Sequence, residues 1–75
     1  MKTVRVVPQG EYSADIYLDG VKVGKGSDCD MGRWVVMCEG DADELLGGCY
    51  PADDAEGLAF AINECVAGVV VEGVM

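Results

Sequence analysis

A small α+β domain, with an antiparallel sheet of three to five strands and one α-helix packed across one face, is the fold the sequence predicts. Three observations predict it. Polar and apolar residues alternate over residues 3–7 and 12–18, Asp19-Gly20 is a strong hairpin signal just beyond, and one apolar stripe of helical period follows Asp53. The chain has 75 residues, enough for a single domain over 1–75 and too few for two. It is 51% apolar with only two prolines, so an ordered chain is expected despite a net charge of -9.

The first strand is expected over residues 3–7, with Val4 and Val6 on one face, ending at Pro8-Gln9-Gly10. In the second, over 12–18, Tyr12, Ala14, Ile16 and Leu18 share one face while Ser13, Asp15 and Tyr17 share the other. Asp19-Gly20 supplies the two positive-φ positions of a type I′ turn, and Val21 and Val23 resume the alternation. Residues 24–32, with three glycines, Ser27, Asp28 and Asp30, read as a loop. Residues 33–39 are apolar on both faces at Trp34 to Cys38, which predicts a strand inside the sheet. Residues 40–44 read as an acidic turn and 45–50 as a short strand weakened by Gly47-Gly48. A helix is expected from Asp53, whose spacing to Glu56 matches a capping-box variant. At 100° per residue Leu58, Ile62, Cys65, Val66 and Val69 share its buried face, and Gly68 is the terminator before a β-branched final strand at 69–71.

Charge narrows the choice of partner. All five basic residues (Lys2, Arg5, Lys22, Lys25, Arg33) lie in the first 33 positions with five acids, so residues 39–72, with nine carboxylates and no Lys or Arg, carry the whole -9. Nucleic acid and anionic membranes both require cations to replace counterions, so direct binding to either is not expected. A basic protein surface suits the sign of the field. No apolar run of signal-peptide type follows Met1-Lys2, which leads us to expect a cytoplasmic protein with free thiols. The segment 58–75 is interrupted by Asn63, Glu64 and Glu72 and is too short to be a membrane span.

Catalysis and metal binding find little support in the residue types. There is no histidine to act as base or to complete a zinc site, and Cys29, Cys38, Cys49 and Cys65 contain no C-x-x-C pair. Cys29 sits between Asp28 and Asp30, which disfavour its thiolate, while Cys38 and Cys65 read as small half-buried apolar side chains. Gly24-Lys25-Gly26-Ser27 lacks the spacing of a phosphate-binding loop. Glu39, Asp41 and Asp43 alternate like the first ligands of a calcium loop, but Glu44 stands where glycine is needed and Tyr50 where a bidentate Glu is needed. We therefore expect no enzyme, no cofactor and no bound metal.

Trp34 on a strand, the glycine turn, and Tyr50-Pro51 leading into a helix at Asp53-Asp54-Ala55 resemble in layout the integrase arm-binding domains over about half the chain. The resemblance implies a sheet carrying one helix and, in that family, DNA reading by basic residues on the sheet. Here Asp15, Asp19 and Glu39 are expected on that sheet instead, so DNA reading does not carry over.

The expected function is a small acidic, non-catalytic binding module, an inhibitor or adaptor of the kind a phage encodes, occupying a basic protein surface. Phe60 lies about 180° from the buried stripe, among Glu56 and Glu64, as an aromatic anchor with an acidic rim. Tyr17 between Asp15 and Asp19 repeats that chemistry on the sheet. Asp15 and Asp19, about 13 Å apart along a strand, also suit a DNA mimic in which carboxylates stand for phosphates. Two alternatives are a subunit that self-associates through an uncovered sheet face (Val35, Met37) or the C-terminal strand, and a weak calcium-binding domain.

Overall fold

A computed structural model describes residues 1–74, with the side chains of residues 1–72. Eight elements follow in order: β1 (Lys2–Pro8), β2 (Ser13–Leu18), β3 (Val21–Asp30), β4 (Arg33–Cys38), α1 (Asp41–Leu46), β5 (Gly48–Pro51), α2 (Ala55–Cys65) and β6 (Val69–Val74). The strands form one sheet in the order β5-β4-β3-β2-β1-β6. The α+β class and the sheet-plus-helix layout are as expected, with six strands in place of three to five and two helices in place of one.

The sheet is mixed because of how its last strand arrives. Hairpins link β1 through β4, whereas α2 crosses the whole sheet and delivers β6 to the far edge, where it pairs parallel to β1 (Lys2↔Val69, Val4↔Val71). At the β2–β3 turn, Asp19 and Gly20 have φ of 51° and 85°, as a type I′ hairpin demands. Asp19 fixes the turn further by accepting the Thr3 N–H at 2.8 Å.

Residues 24–30, expected as loop, continue β3. Their glycines are there for close approach. A Cβ on Gly26 would lie 2.7 Å from Leu58 Cδ2 of α2, and one on Gly24 would strike the Met37 carbonyl and stand 2.6 Å from Cys38 Cα. Glycine thus leaves room for the Leu58 side chain at 26 and for the β4 backbone at 24. The chain turns at Asp30, Met31 and Gly32, all with positive φ (89°, 57°, 75°), and Asp28 and Asp30 carboxylates accept the next free N–H groups.

Residues 41–46, expected as part of an acidic turn and the start of a strand, form α1 instead with Gly40 as its N-cap, and the strand is only β5. Asp43 closes this corner, since its carboxylate accepts the Cys38 N–H at 3.1 Å and its carbonyl accepts the Gly47 N–H. The α2 start is also displaced by one residue: Asp54, not Asp53, is the N-cap and accepts the Gly57 N–H at 2.7 Å.

The core lies between α2 and one sheet face. Val4, Val6, Ile16, Trp34, Val36, Leu46, Leu58 and Ile62 are its fully buried members, with Ala55, Ala59 and Ala61 giving α2 a low profile. Tyr50 closes one end, its hydroxyl donating to the Leu46 carbonyl. Cys65 departs from expectation. It belongs to the right stripe, but at the last helical residue it opens into a hollow shared with Glu44, Leu45, Cys49 and Val66, and it is exposed. Among the described residues no helix is long and apolar enough to cross a membrane.

Two substitutions check this packing. Ile62→Asp places an unpaired charge at a fully buried site, so the cooperative thermal transition should disappear; an unshifted melt would refute the helix face assigned here. Gly24→Ala should lower unfolding free energy by about 2 kcal/mol in a urea titration, because backbone, not a movable side chain, blocks its Cβ. No change in midpoint would contradict that contact.

Candidate functional site

One helix face and one sheet face remain open, on opposite sides of the molecule. On α2 the buried positions Leu58, Ala59, Ala61 and Ile62 fix the helix rotation, which turns Phe60 outward at 67% exposure. Glu56 and Glu64 lie one turn before and after it, both exposed. The arc Glu56–Phe60–Glu64 is therefore an aromatic ring between two carboxylates, as expected from the sequence. α1 adds Asp41, Asp43 and Glu44 to its first turn, and neither helix has a basic residue in its last turn.

The opposite sheet face has no covering layer. Alternation along the strands places Arg5, Asp15, Tyr17, Lys22, Lys25, Arg33, Val35 and Met37 there, since Val4, Val6, Ala14, Ile16, Trp34 and Val36 point to the core. Four of the five cations thus share one face. The expectation that the sheet presents mainly carboxylates is corrected. Lys22 Nζ pairs with Asp15 at 3.3 Å and Arg5 with Glu72 at 3.5 Å, while among the described residues Lys25 and Arg33 have no carboxylate in ion-pair reach.

Tyr17 and Phe60, expected to play equivalent roles, are on opposite sides and cannot meet one flat partner surface together. Tyr17 is half-buried in a hollow of about 410 Å³ lined also by Thr3, Arg5, Val7, Gly20 and Glu72. Asp15 is mostly buried against Lys22, and Asp19 sits in the hairpin turn, bonded to the Thr3 N–H and 4.0 Å from Lys2 Nζ. Neither is a free carboxylate standing where a phosphate would. Glu39, Asp41 and Asp43 do not form a loop, because Asp41 and Asp43 are inside α1; among the described residues no group of three or more metal-ligating side chains is gathered.

Lys25 and Arg33 are the residues that sequence reasoning missed. For Arg33 the signal is the Arg33-x-Val35-x-Met37 alternation about the apolar Trp34 and Val36, whereas Lys25, in a glycine-rich stretch that reads as loop, has no such signal.

The thiols are all free. Cys38 is half-buried, and burial followed by the neighbouring Asp43 carboxylate raises its pKa, so its thiolate is scarcer at any given pH. With alkylating reagent at pH 8, peptide mapping by mass spectrometry over time should show Cys29, Cys49 and Cys65 modified first and Cys38 last. Uniform labelling of all four would contradict the environment described for Cys38. The melting temperature should also be insensitive to reducing agent, since a native disulfide commonly contributes about 2–4 kcal/mol; a large drop on reduction would contradict the free thiols.

No protein-family model matches this chain, and no characterised protein or solved structure is significantly similar to it, so its function rests on the geometry of the two open faces.

Proposed function

We propose that the protein is a small non-catalytic binding module, an inhibitor or adaptor, whose acidic helical face occupies a basic surface on another protein. The observation that carries this reading is Phe60, a large apolar side chain 67% exposed on a helix and bracketed by Glu56 and Glu64. An exposed aromatic inside a charged rim is the composition of an interface centre, where the ring fills a desolvated pocket and the charges steer the approach. Asp53 and Asp54, both exposed, extend the same sign at the start of the helix, and Asp41 and Glu44 of α1 are exposed as well. The chain has no histidine to act as a base, and burial together with the neighbouring Asp43 carboxylate disfavours the Cys38 thiolate, which supports binding rather than chemistry.

DNA mimicry through Asp15 and Asp19 is not part of this proposal, because each is held beside a lysine of its own chain. Binding is assigned to the helical layer alone.

The experiment is paired affinity capture with wild-type and Phe60→Ala baits, followed by surface kinetics against the partner retained by wild type only. Glu56→Gln with Glu64→Gln should slow association and flatten its salt dependence. Phe60→Ala should act on dissociation, weakening the complex by about 2 kcal/mol. A partner whose contacting surface is acidic, or kinetics unmoved by Phe60→Ala, would overturn the proposal.

A further inference from the structure

The sheet has two edges and one open face, and the edges are guarded. β5 is four residues long and ends in Pro51, which has no N–H to offer. β6 is longer, but its Val71 N–H is taken by the Asn63 side-chain carbonyl of α2 at 3.3 Å, and the register with β1 slips between Val71 and Gly73. Alternate N–H groups of a strand point opposite ways, so Asn63 blocks a donor on the side away from β1. Strand addition at either edge is disfavoured.

The open face is different. On it, Arg33, Val35 and Met37 follow one another along β4, Lys25 of β3 stands directly beside Met37, and Asp15, already paired with Lys22, is the β2 neighbour of Lys25. Met37 is 68% exposed. From Arg33 to Met37 is four strand residues, about 13 Å, and the neighbouring strand is about 5 Å away, so Lys25 and Arg33 stand about 14 Å apart. On the other side of the molecule, Glu56 and Glu64 are eight helical residues apart, about 12 Å, with Phe60 midway. One face thus has two cations without an ion pair among the described residues, with Val35 midway and Met37 beside Lys25, and the other has two carboxylates at nearly the same spacing flanking an aromatic ring.

We infer that the Lys25–Val35–Met37–Arg33 patch is a docking surface for the Glu56–Phe60–Glu64 arc of a second copy of this chain. The inference rests on the reading of that arc as a binding face and names a partner for it. Phe60 lies over Val35 and Met37, and the two carboxylates approach Lys25 and Arg33. The contact is head-to-tail: each copy keeps one unused face, so association continues instead of closing at two. Net charge opposes it only at long range. At about 0.15 M salt the Debye length is about 8 Å, less than the 20 Å width of the molecule, so the facing patches set the sign of the interaction.

Sedimentation at about 0.15 M salt tests this with wild type and two variants changed only at exposed residues. One is Lys25→Glu with Arg33→Glu, which spoils the sheet patch. The other is Glu56→Gln, Phe60→Ala and Glu64→Gln, which spoils the helix arc. Wild type should grow beyond two copies with rising concentration, while self-association of each variant weakens by about tenfold or more. An equimolar mixture of the variants should form a one-to-one pair and stop there, because only one intact arc and one intact patch can meet. Wild type that stays monomeric, wild type that plateaus at two copies, or variants that fail to complement each other would overturn the inference. If wild type is monomeric yet Phe60→Ala still loses a captured basic partner, self-docking alone falls; if neither binding exists, the reading of the arc falls with it.

Discussion

The contact between Leu58 and Gly26 sets the arrangement on which the other features depend. Because β3 has no side chain at Gly26, the Leu58 side chain of α2 has room above the strand, and Leu58, like Ile62, is fully buried, each contributing about 2 kcal/mol of transfer free energy. Seating those two residues fixes the helix rotation. The alanines beside them complete the buried arc, and what remains outward is Glu56, Phe60 and Glu64. One packing decision therefore determines which chemistry the helix shows to its surroundings.

The length of the chain and the order of its charges explain why the two sides of the molecule differ in sign. A chain of this length has material for one helical layer and no more, so the second sheet face stays open. The helical layer is built from the second half of the sequence, which has no basic residue, and the open face from the first half, which has all five. Folding thus turns a charge asymmetry along the chain into one across the domain. The internal pairs Lys22–Asp15 and Arg5–Glu72 neutralise part of the sheet face and, among the described residues, leave Lys25 and Arg33 without an ion pair.

The hairpins and the α2 stripe were legible because each obeys one local rule. Asp19-Gly20 needs no tertiary context to form its turn, and Leu58 and Ile62 follow the helical period. Other features depend on distant partners. Gly24 and Gly26 look like loop punctuation until a helix and a neighbouring strand are placed against them. α1 is too short for a period to show, and its acidic start resembles a turn because Gly40 offers no capping side chain. Phe60 was readable as outward-facing since helix geometry alone places it there. The cationic patch was not, because Lys25 acquires a face only once β3 extends past Gly24.

The central claim is that one helix on one side produces two faces of opposite charge. It is tested most directly by paramagnetic broadening of backbone amide resonances with two soluble nitroxides, one cationic and one anionic. The cationic probe should broaden α1 and the Glu56–Glu64 arc most, and the anionic probe should broaden the β3–β4 face around Lys25 and Arg33. Equal broadening of both faces by each probe, or repulsion of the anionic probe from the Lys25–Arg33 patch, would contradict the account.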